Sequence, residues 1–168
     1  MFQHILLPTD GSQLSRDTAE RAVAFAKAAG ATITALYARP IGQSENYGDL
    51  VEPKALDRLV SGSEGKSKEY LGFIKRLCKD AGVECNAISV VHDSPWEAII
   101  NVAEDNSCDL IFMSKHGRGG LSSLLLGSET YRVLTHSSIP VLVYRPPELD
   151  ASRRKAREKA RERERKRA

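Results

Sequence analysis

Five short apolar runs alternate with amphipathic stretches along the chain, and this alternation constrains the fold more than any other feature. The runs "ILLP", "ATITALYA", "CNAISVV", "CDLIFM" and "IPVLVYR" predict strands, because they are apolar or β-branched and are bounded by turn residues. The stretches between them repeat apolar residues at three- and four-residue steps, which is typical of helices packed on one face. The sequence therefore predicts an α/β fold in which a mostly parallel sheet carries helices on both faces.

Residues with capping propensity mark the ends of the predicted helices. Ser12 is placed to cap the first helix and Gly30 to end it. Helical spacing resumes over residues 55–77, as one long helix or two pieces. Ser94 as the cap and Pro95 at the first position predict the start of the third helix, where proline loses no hydrogen bond.

The chain of 168 residues predicts one folded domain, residues 1–148, followed by a basic tail, residues 149–168. Residues 150–168 carry ten Lys or Arg against four Asp or Glu, a net charge of +6, whereas residues 1–149 carry fifteen against eighteen, a net charge of −3. The tail has no apolar stripe, so a solvated helix or disorder is expected there. Residues 39–53 predict a long polar loop.

Two classes of membrane-directed segment are not expected from the sequence. No run of about 18 apolar residues is present, so no transmembrane helix is predicted. The N-terminal "MFQHILLPTD" is apolar for only a few residues and does not match a signal peptide. A cytoplasmic location is therefore expected.

The stretch "MSKHGRGGLSSLLLGSET", which follows the fourth strand, has the composition of an anion-binding loop. Glycines let a backbone curl around a phosphate and direct several N–H groups at one point. Gly127 and Ser128 open the fourth helix, and a helix N-terminus offers free N–H groups and a partial positive charge. Lys115, His116 and Arg118 add positive charge. In a parallel sheet this loop and "PTDGS", after the first strand, would border one crevice if their strands are neighbours.

The spacing of that stretch, with "ILLPTDGS" near the start and "SSIPVLVYR" near residue 145, resembles the universal stress protein family. The resemblance covers about residues 1–146. It implies a Rossmann-like sheet of five parallel strands in the order 3-2-1-4-5 with four helices. It also implies a G-x2-G-x9-G-[S/T] motif that binds the ribose and phosphates of ATP. That motif falls on Ser114, Gly117, Gly127 and Ser128, so serine replaces the first glycine. If this position requires a positive φ, serine costs about 1 kcal/mol.

The resemblance also implies contacts on the adenine side, at the acidic residue after the first strand and at a backbone position after the second. The predicted nucleotide-binding residues are Pro8, Thr9, Asp10, Ala38, Met113, Ser114, Lys115, His116, Gly117, Arg118, Gly127, Ser128 and Glu129. Considered without the resemblance, each of these residues could instead have a role that involves no ligand. Asp10 could be only a turn or cap residue, and His116 a surface histidine.

Several enzyme classes lack their sequence signatures. A dinucleotide-dependent oxidoreductase would need G-x-G-x-x-G after the first strand, a P-loop NTPase G-x-x-x-x-G-K-[S/T], and a serine hydrolase G-x-S-x-G. The cysteines, at positions 78, 85 and 108, match no CxxC pattern, so both inert thiols and a redox-sensing role stay open. The sequence favours a binding and regulatory protein, with slow ATP hydrolysis as the upper limit of its activity.

The function that the resemblance implies is that of a dimeric stress-response regulator that binds ATP, with Mg²⁺, or another adenine nucleotide. A homodimer is expected because the last strand, "PVLVY" (Pro140, Val141, Leu142, Val143 and Tyr144), would expose unpaired backbone groups at a sheet edge. The alternative is a nucleotide-independent dimeric interaction module of the same fold, whose basic tail contacts an anionic partner. Such contact would be weak and strongly salt-dependent.

Overall fold

Strands and helices alternate throughout the described chain, as the apolar pattern predicts. The computed structural model describes residues 1–39, 53–117 and 126–146, and of residues 53–63 it describes the backbone alone. The elements in chain order are β1 (His4–Pro8), α1 (Gln13–Ala29), β2 (Thr32–Arg39), α2 (Pro53–Ala81), β3 (Cys85–Val91), α3 (Pro95–Asp105), β4 (Leu110–Ser114), α4 (Ser128–His136) and β5 (Val141–Tyr144).

Three features of the sequence lie wholly or mostly outside the described residues. They are the predicted polar loop after β2, residues 118–125 of the glycine-rich stretch, and the basic tail beyond residue 146. No helix in the described part of the chain is long and apolar enough to span a membrane.

All neighbouring strands run parallel, in the order β3-β2-β1-β4-β5. The strand order implied by the resemblance is therefore confirmed. β1 lies in the middle, and the chain builds the sheet outward from it in one direction through β3 and then in the other through β5. The strand order reverses between β1 and β4, and crevices at the carboxyl ends of parallel sheets open at such a switch point.

A hydrophobic core covers each face of the sheet, because successive side chains of a strand point to opposite sides. Ile5 and Leu7 of β1 are fully buried on one face, where α1 and α2 pack. Leu6, between them, is fully buried on the other face with Ile99 of α3 and Val133 of α4. β1 is therefore packed between α1 and α2 on one face and α3 and α4 on the other, which fixes the position of its carboxyl end.

The ends of α1 confirm the predicted caps. Ser12 has extended backbone, and its hydroxyl accepts a hydrogen bond from the Ser15 N–H at 3.2 Å. Gly30 ends the helix in the left-handed conformation, with φ of 67°. The second helix is one continuous element of 29 residues, which resolves the choice between one helix and two pieces.

Candidate functional site

The loop after β1 is held by short hydrogen bonds among its own polar groups. The Ser12 N–H donates to Asp10 Oδ1 at 3.0 Å, and the Gly11 N–H donates to Thr9 Oγ1 at 3.2 Å. The Thr9 and Ser15 hydroxyl oxygens lie 2.6 Å apart. Gly11 adopts a φ of 75°, which favours glycine. The Asp10 carboxylate is therefore held in a defined position at the end of β1.

The turn after β4 is tied to the start of α4. The Ser114 hydroxyl donates to the His116 carbonyl at 3.0 Å, which closes the turn. The Gly127 N–H donates to the Lys115 carbonyl at 2.9 Å, and the Thr130 hydroxyl donates to the Ser114 carbonyl at 3.0 Å. These bonds bring both ends of the glycine-rich stretch together although residues 118–125, between them, lie outside the described part of the chain.

The two loops meet where Gly117 faces Asp10. A Cβ at Gly117 would lie 2.5 Å from Asp10 Oδ2, closer than real Cβ atoms approach any neighbour. A Cβ at Gly127 would lie 3.0 Å from the His116 Cα. Gly117 therefore allows close approach of the Asp10 carboxylate, and Gly127 allows close approach of the His116 backbone. The crevice expected between neighbouring strands β1 and β4 is present.

A cavity of about 190 Å³ opens at this meeting point. Nine of the predicted residues line it, namely Pro8, Thr9, Asp10, Ala38, Met113, Ser114, His116, Gly117 and Glu129. Sequence reasoning did not identify four further lining residues, Leu36, Pro95, Ile99 and Thr130. Periodicity could have indicated two of them. Leu36 lies two residues before Ala38, so the two side chains share one face of β2. Ile99 likewise lies one helical turn after Pro95.

The remaining predicted residues lie outside this lining. Lys115 is buried, with 8% of its surface exposed, and its N–H donates to the Tyr144 carbonyl at 3.1 Å. Gly127 has the N-cap position of α4, and Ser128 is the first residue of that helix. Arg118 lies outside the described residues.

Ser114, which replaces the motif's first glycine, has ordinary backbone geometry. Among the described non-glycine residues, only Ser107 has a positive φ. Serine at position 114 therefore carries no conformational penalty of the kind considered above. Its hydroxyl instead fixes the turn through the bond to His116, and its side chain forms part of the cavity wall.

Glu129 connects α4 to α3 beside the cavity. Its Oε2 accepts a hydrogen bond from the Trp96 N–H at 2.9 Å, at the N-terminus of α3. Within the described chain, the Ser94 hydroxyl makes no capping bond, so the cap predicted there is replaced by a carboxylate from another helix. Arg132 lies 4.0 Å from Glu129 Oε1. A negative side chain at a helix N-terminus is electrostatically favourable, so Glu129 stabilises this wall of the cavity.

The wall of the cavity has an apolar part and a polar part. Leu36, Ala38, Pro95 and Ile99 supply an apolar surface, whereas Asp10 supplies carboxylate oxygens that can accept hydrogen bonds. A flat, mostly apolar ring with polar substituents would match such a wall.

Comparison with known proteins agrees with the fold. The family model of the universal stress protein family matches residues 1–145. The chain belongs to the universal stress protein family. Universal stress protein MJ0577 of Methanocaldococcus jannaschii is 30% identical over 156 residues, an alignment that covers 86% of this chain and 96% of that protein.

Solved structures of the same fold cover most of both chains. The structure of MJ0577 superposes with a TM-score of 0.74 at 29% identity and covers 87% of this chain and 97% of that one. A universal stress protein solved in complex with cAMP gives a TM-score of 0.65 at 24% identity, over 86% and 97% of the two chains. An Arabidopsis thaliana family protein with AMP bound gives 0.61 at 16% identity, over 84% and 90%.

Proposed function

We propose that the cavity between the β1 and β4 loops binds an adenine nucleotide and that the protein is a nucleotide-responsive regulator of the stress response. The observation that carries this proposal is the approach of Gly117 to Asp10 beside a cavity that nine of the predicted nucleotide-binding residues line. The cAMP and AMP complexes of family proteins with the same fold support it.

The chemistry of the wall suggests how the ligand would lie. The adenine ring would pack on the apolar surface formed by Leu36, Ala38 and Ile99, and Asp10 would accept hydrogen bonds from its amino group or from ribose hydroxyls. The first N–H groups of a helix have no partner within the helix. Those of α4, with the Ser128 hydroxyl, would donate to phosphate oxygens.

The volume of the cavity bears on which part of the nucleotide it holds. At about 190 Å³ it is smaller than the roughly 300–1,000 Å³ of typical small-molecule sites. We therefore place the base and ribose inside it and the phosphates outside, along the start of α4. ATP with Mg²⁺ is the proposed ligand. The proposal assigns no catalytic residue, and hydrolysis of ATP would be slow at most.

Calorimetric titration of the natural protein with ATP and Mg²⁺, and separately with AMP, tests the proposal. Saturable binding of either is expected, with GTP as the control ligand that binds at least tenfold more weakly. Failure of every adenine nucleotide to bind would contradict it and favour the nucleotide-independent interaction module.

Variants of Ser114 show what the serine contributes. Ser114→Ala and Ser114→Gly both remove the hydrogen bond to His116, so each is expected to weaken binding about two- to tenfold. Binding by Ser114→Gly alone would instead show that the serine closes the site. Ala retains the Cβ, so the pair separates loss of the hydroxyl from release of space.

We further propose that a second copy of the chain pairs along β5. This strand lies at the edge of the sheet, where backbone groups are available for pairing. The Pro140 and Tyr144 carbonyls accept bonds from β4, so by strand alternation Val141 and Val143 direct their backbone groups outward. On α4, the helix that precedes β5 in the chain, Tyr131 is 60% exposed.

Light scattering at micromolar concentration tests the pairing. The natural protein is expected to be a dimer and Val143→Pro a monomer, because proline removes an outward N–H that edge pairing needs. Val143→Thr keeps that N–H and is expected to remain dimeric. A monomeric natural protein, or a dimeric Val143→Pro, would rule out this interface.

A further inference from the structure

Two cysteines meet where α2 passes into β3. Cys78 lies in the last turn of α2 and is fully buried in the core between the sheet, α1 and α2. Cys85 opens β3, is partly buried and packs against the same core. Gly82, with a φ of 71°, reverses the chain, and the Val83 N–H donates to the Cys78 carbonyl at 2.8 Å. This turn leaves both cysteines packed against the same core.

The surroundings make the two thiols chemically different. The hydrogen bond to Cys85 and burial raise the pKa of Cys78. The hydrogen bond from Cys78 and the nearby Lys75 ammonium lower the pKa of Cys85 below its ordinary value, against the opposing effect of burial. Burial and the negative charge of Asp109 raise the pKa of Cys108 to about 11. Since thiolates are the nucleophiles in thiol oxidation, Cys85 is the reactive cysteine of the three.

We propose that Cys78 and Cys85 form a reversible intramolecular disulfide, which makes the α2–β3 turn an oxidation site for hydroperoxides. The Cys85 thiolate attacks one peroxide oxygen, so that an S–O bond forms and the O–O bond breaks, giving a sulfenic acid. Hydroxide (or an alkoxide, from an organic peroxide) leaves and takes a proton from solvent water. The Cys78 thiol then attacks that sulfur. An S–S bond forms, the S–O bond breaks, and the thiol proton leaves with the hydroxyl as water. The peroxide is reduced by two electrons and the thiol pair is oxidised by two.

The position of the pair in the fold separates this site from the cavity. Cys85 lies at the amino end of β3, an edge strand, whereas the cavity lies at the carboxyl ends of the strands. Cys85 pairs in register with Ile33, near the start of β2, and Ala38 of the cavity wall pairs with Val90 near the end of β3. The proposed oxidation therefore does not depend on whether a nucleotide binds.

Peptide mapping of the natural full-length protein after treatment with hydrogen peroxide tests the proposal. Trypsin cleaves after Lys79, between the two cysteines, and glutamyl endopeptidase cleaves after Glu97 and Glu104, which separates Cys85 from Cys108. The expected product is one cross-linked peptide pair lacking two hydrogen atoms, which dithiothreitol separates, with Cys108 still open to alkylation after denaturation.

Matched variants make the assignment specific. Cys108→Ser is expected to form the same cross-link at the same rate, and Cys85→Ser to form none. Conversion of Cys85 to sulfinic acid without a cross-link, a link that includes Cys108, or a link between two chains would each overturn the proposal.

A second readout needs no variant. At neutral pH the native protein is expected to be alkylated by iodoacetamide at Cys85 at least tenfold faster than at Cys108. Equal rates at the two thiols would overturn the assignment of Cys85 as the attacking group.

Discussion

Replacing Gly11 by alanine is expected to lower the free energy of unfolding by about 2–5 kcal/mol. Two effects add at this position. Gly11 has a φ of 75°, and an L side chain in the left-handed region costs about 1–2 kcal/mol. An added Cβ would also overlap the ring of Tyr70, which is buried between α2 and β2, and overpacking typically costs about 1–3 kcal/mol. Urea denaturation followed by circular dichroism measures the loss.

Gly30→Ala is the matched control for that prediction. Gly30 also has a positive φ, 67°, but an added Cβ there meets no atom within 4 Å. The free energy of unfolding of Gly30→Ala should fall only by the backbone cost of the left-handed conformation, about 1–2 kcal/mol. The difference between the two variants then measures the contact with Tyr70. Equal losses would show that Tyr70 moves aside without cost and would contradict this explanation of Gly11.

Gly117→Ala is expected to lower adenine-nucleotide affinity at least tenfold, which corresponds to about 1.4 kcal/mol. The new Cβ would lie 2.5 Å from Asp10 Oδ2, and the other oxygen of that carboxylate already accepts the Ser12 N–H. Either Asp10 leaves its position or the turn after β4 retracts. Both movements alter the wall of the cavity where we place the base and ribose. Calorimetric titration with the nucleotide that binds the natural protein gives the change in Kd.

Gly65→Ala provides the control for this binding experiment. Gly65 lies in α2, and an added Cβ there meets no atom within 4 Å. Binding should be unchanged, and stability should rise by about 0.5–1 kcal/mol because alanine is the better helix former. If Gly117→Ala binds as tightly as the natural protein while remaining folded, the approach of Gly117 to Asp10 plays no part in the site.

Much of the architecture follows from local pattern in the sequence. The order and type of the elements depend on apolar spacing within each segment, and the ends of α1 depend on Ser12 and Gly30 themselves. These are interactions between near neighbours in the chain. They can be identified before any tertiary contact is known. The strand order and the motif came instead through resemblance to a family, since neither follows from periodicity.

For the candidate site, too, the sequence indicated some residues and only the tertiary structure showed what they contact. The motif indicated Gly117 and Gly127, but each glycine faces a residue that is not near it in the sequence: Asp10 for Gly117 and His116 for Gly127. For Gly117 that neighbour is Asp10, and no local rule relates residues about a hundred positions apart. The apolar wall from β2 and α3 was missed for the same reason. Nothing in the local sequence shows that Leu36 and Ile99 face one space.

By itself, the sequence determined the alternation of strands and helices and the caps of α1, and through the family resemblance it indicated nine of the thirteen residues that line the cavity. Only the tertiary structure decided what those residues contact. It places the Glu129 carboxylate at the start of α3, gives Ser114 a bond to the His116 carbonyl, and packs Cys78 and Cys85 against the same core. The physical reason is that helices and caps arise from contacts within a few residues. A binding site arises where parallel strands align the ends of segments that are far apart in the chain.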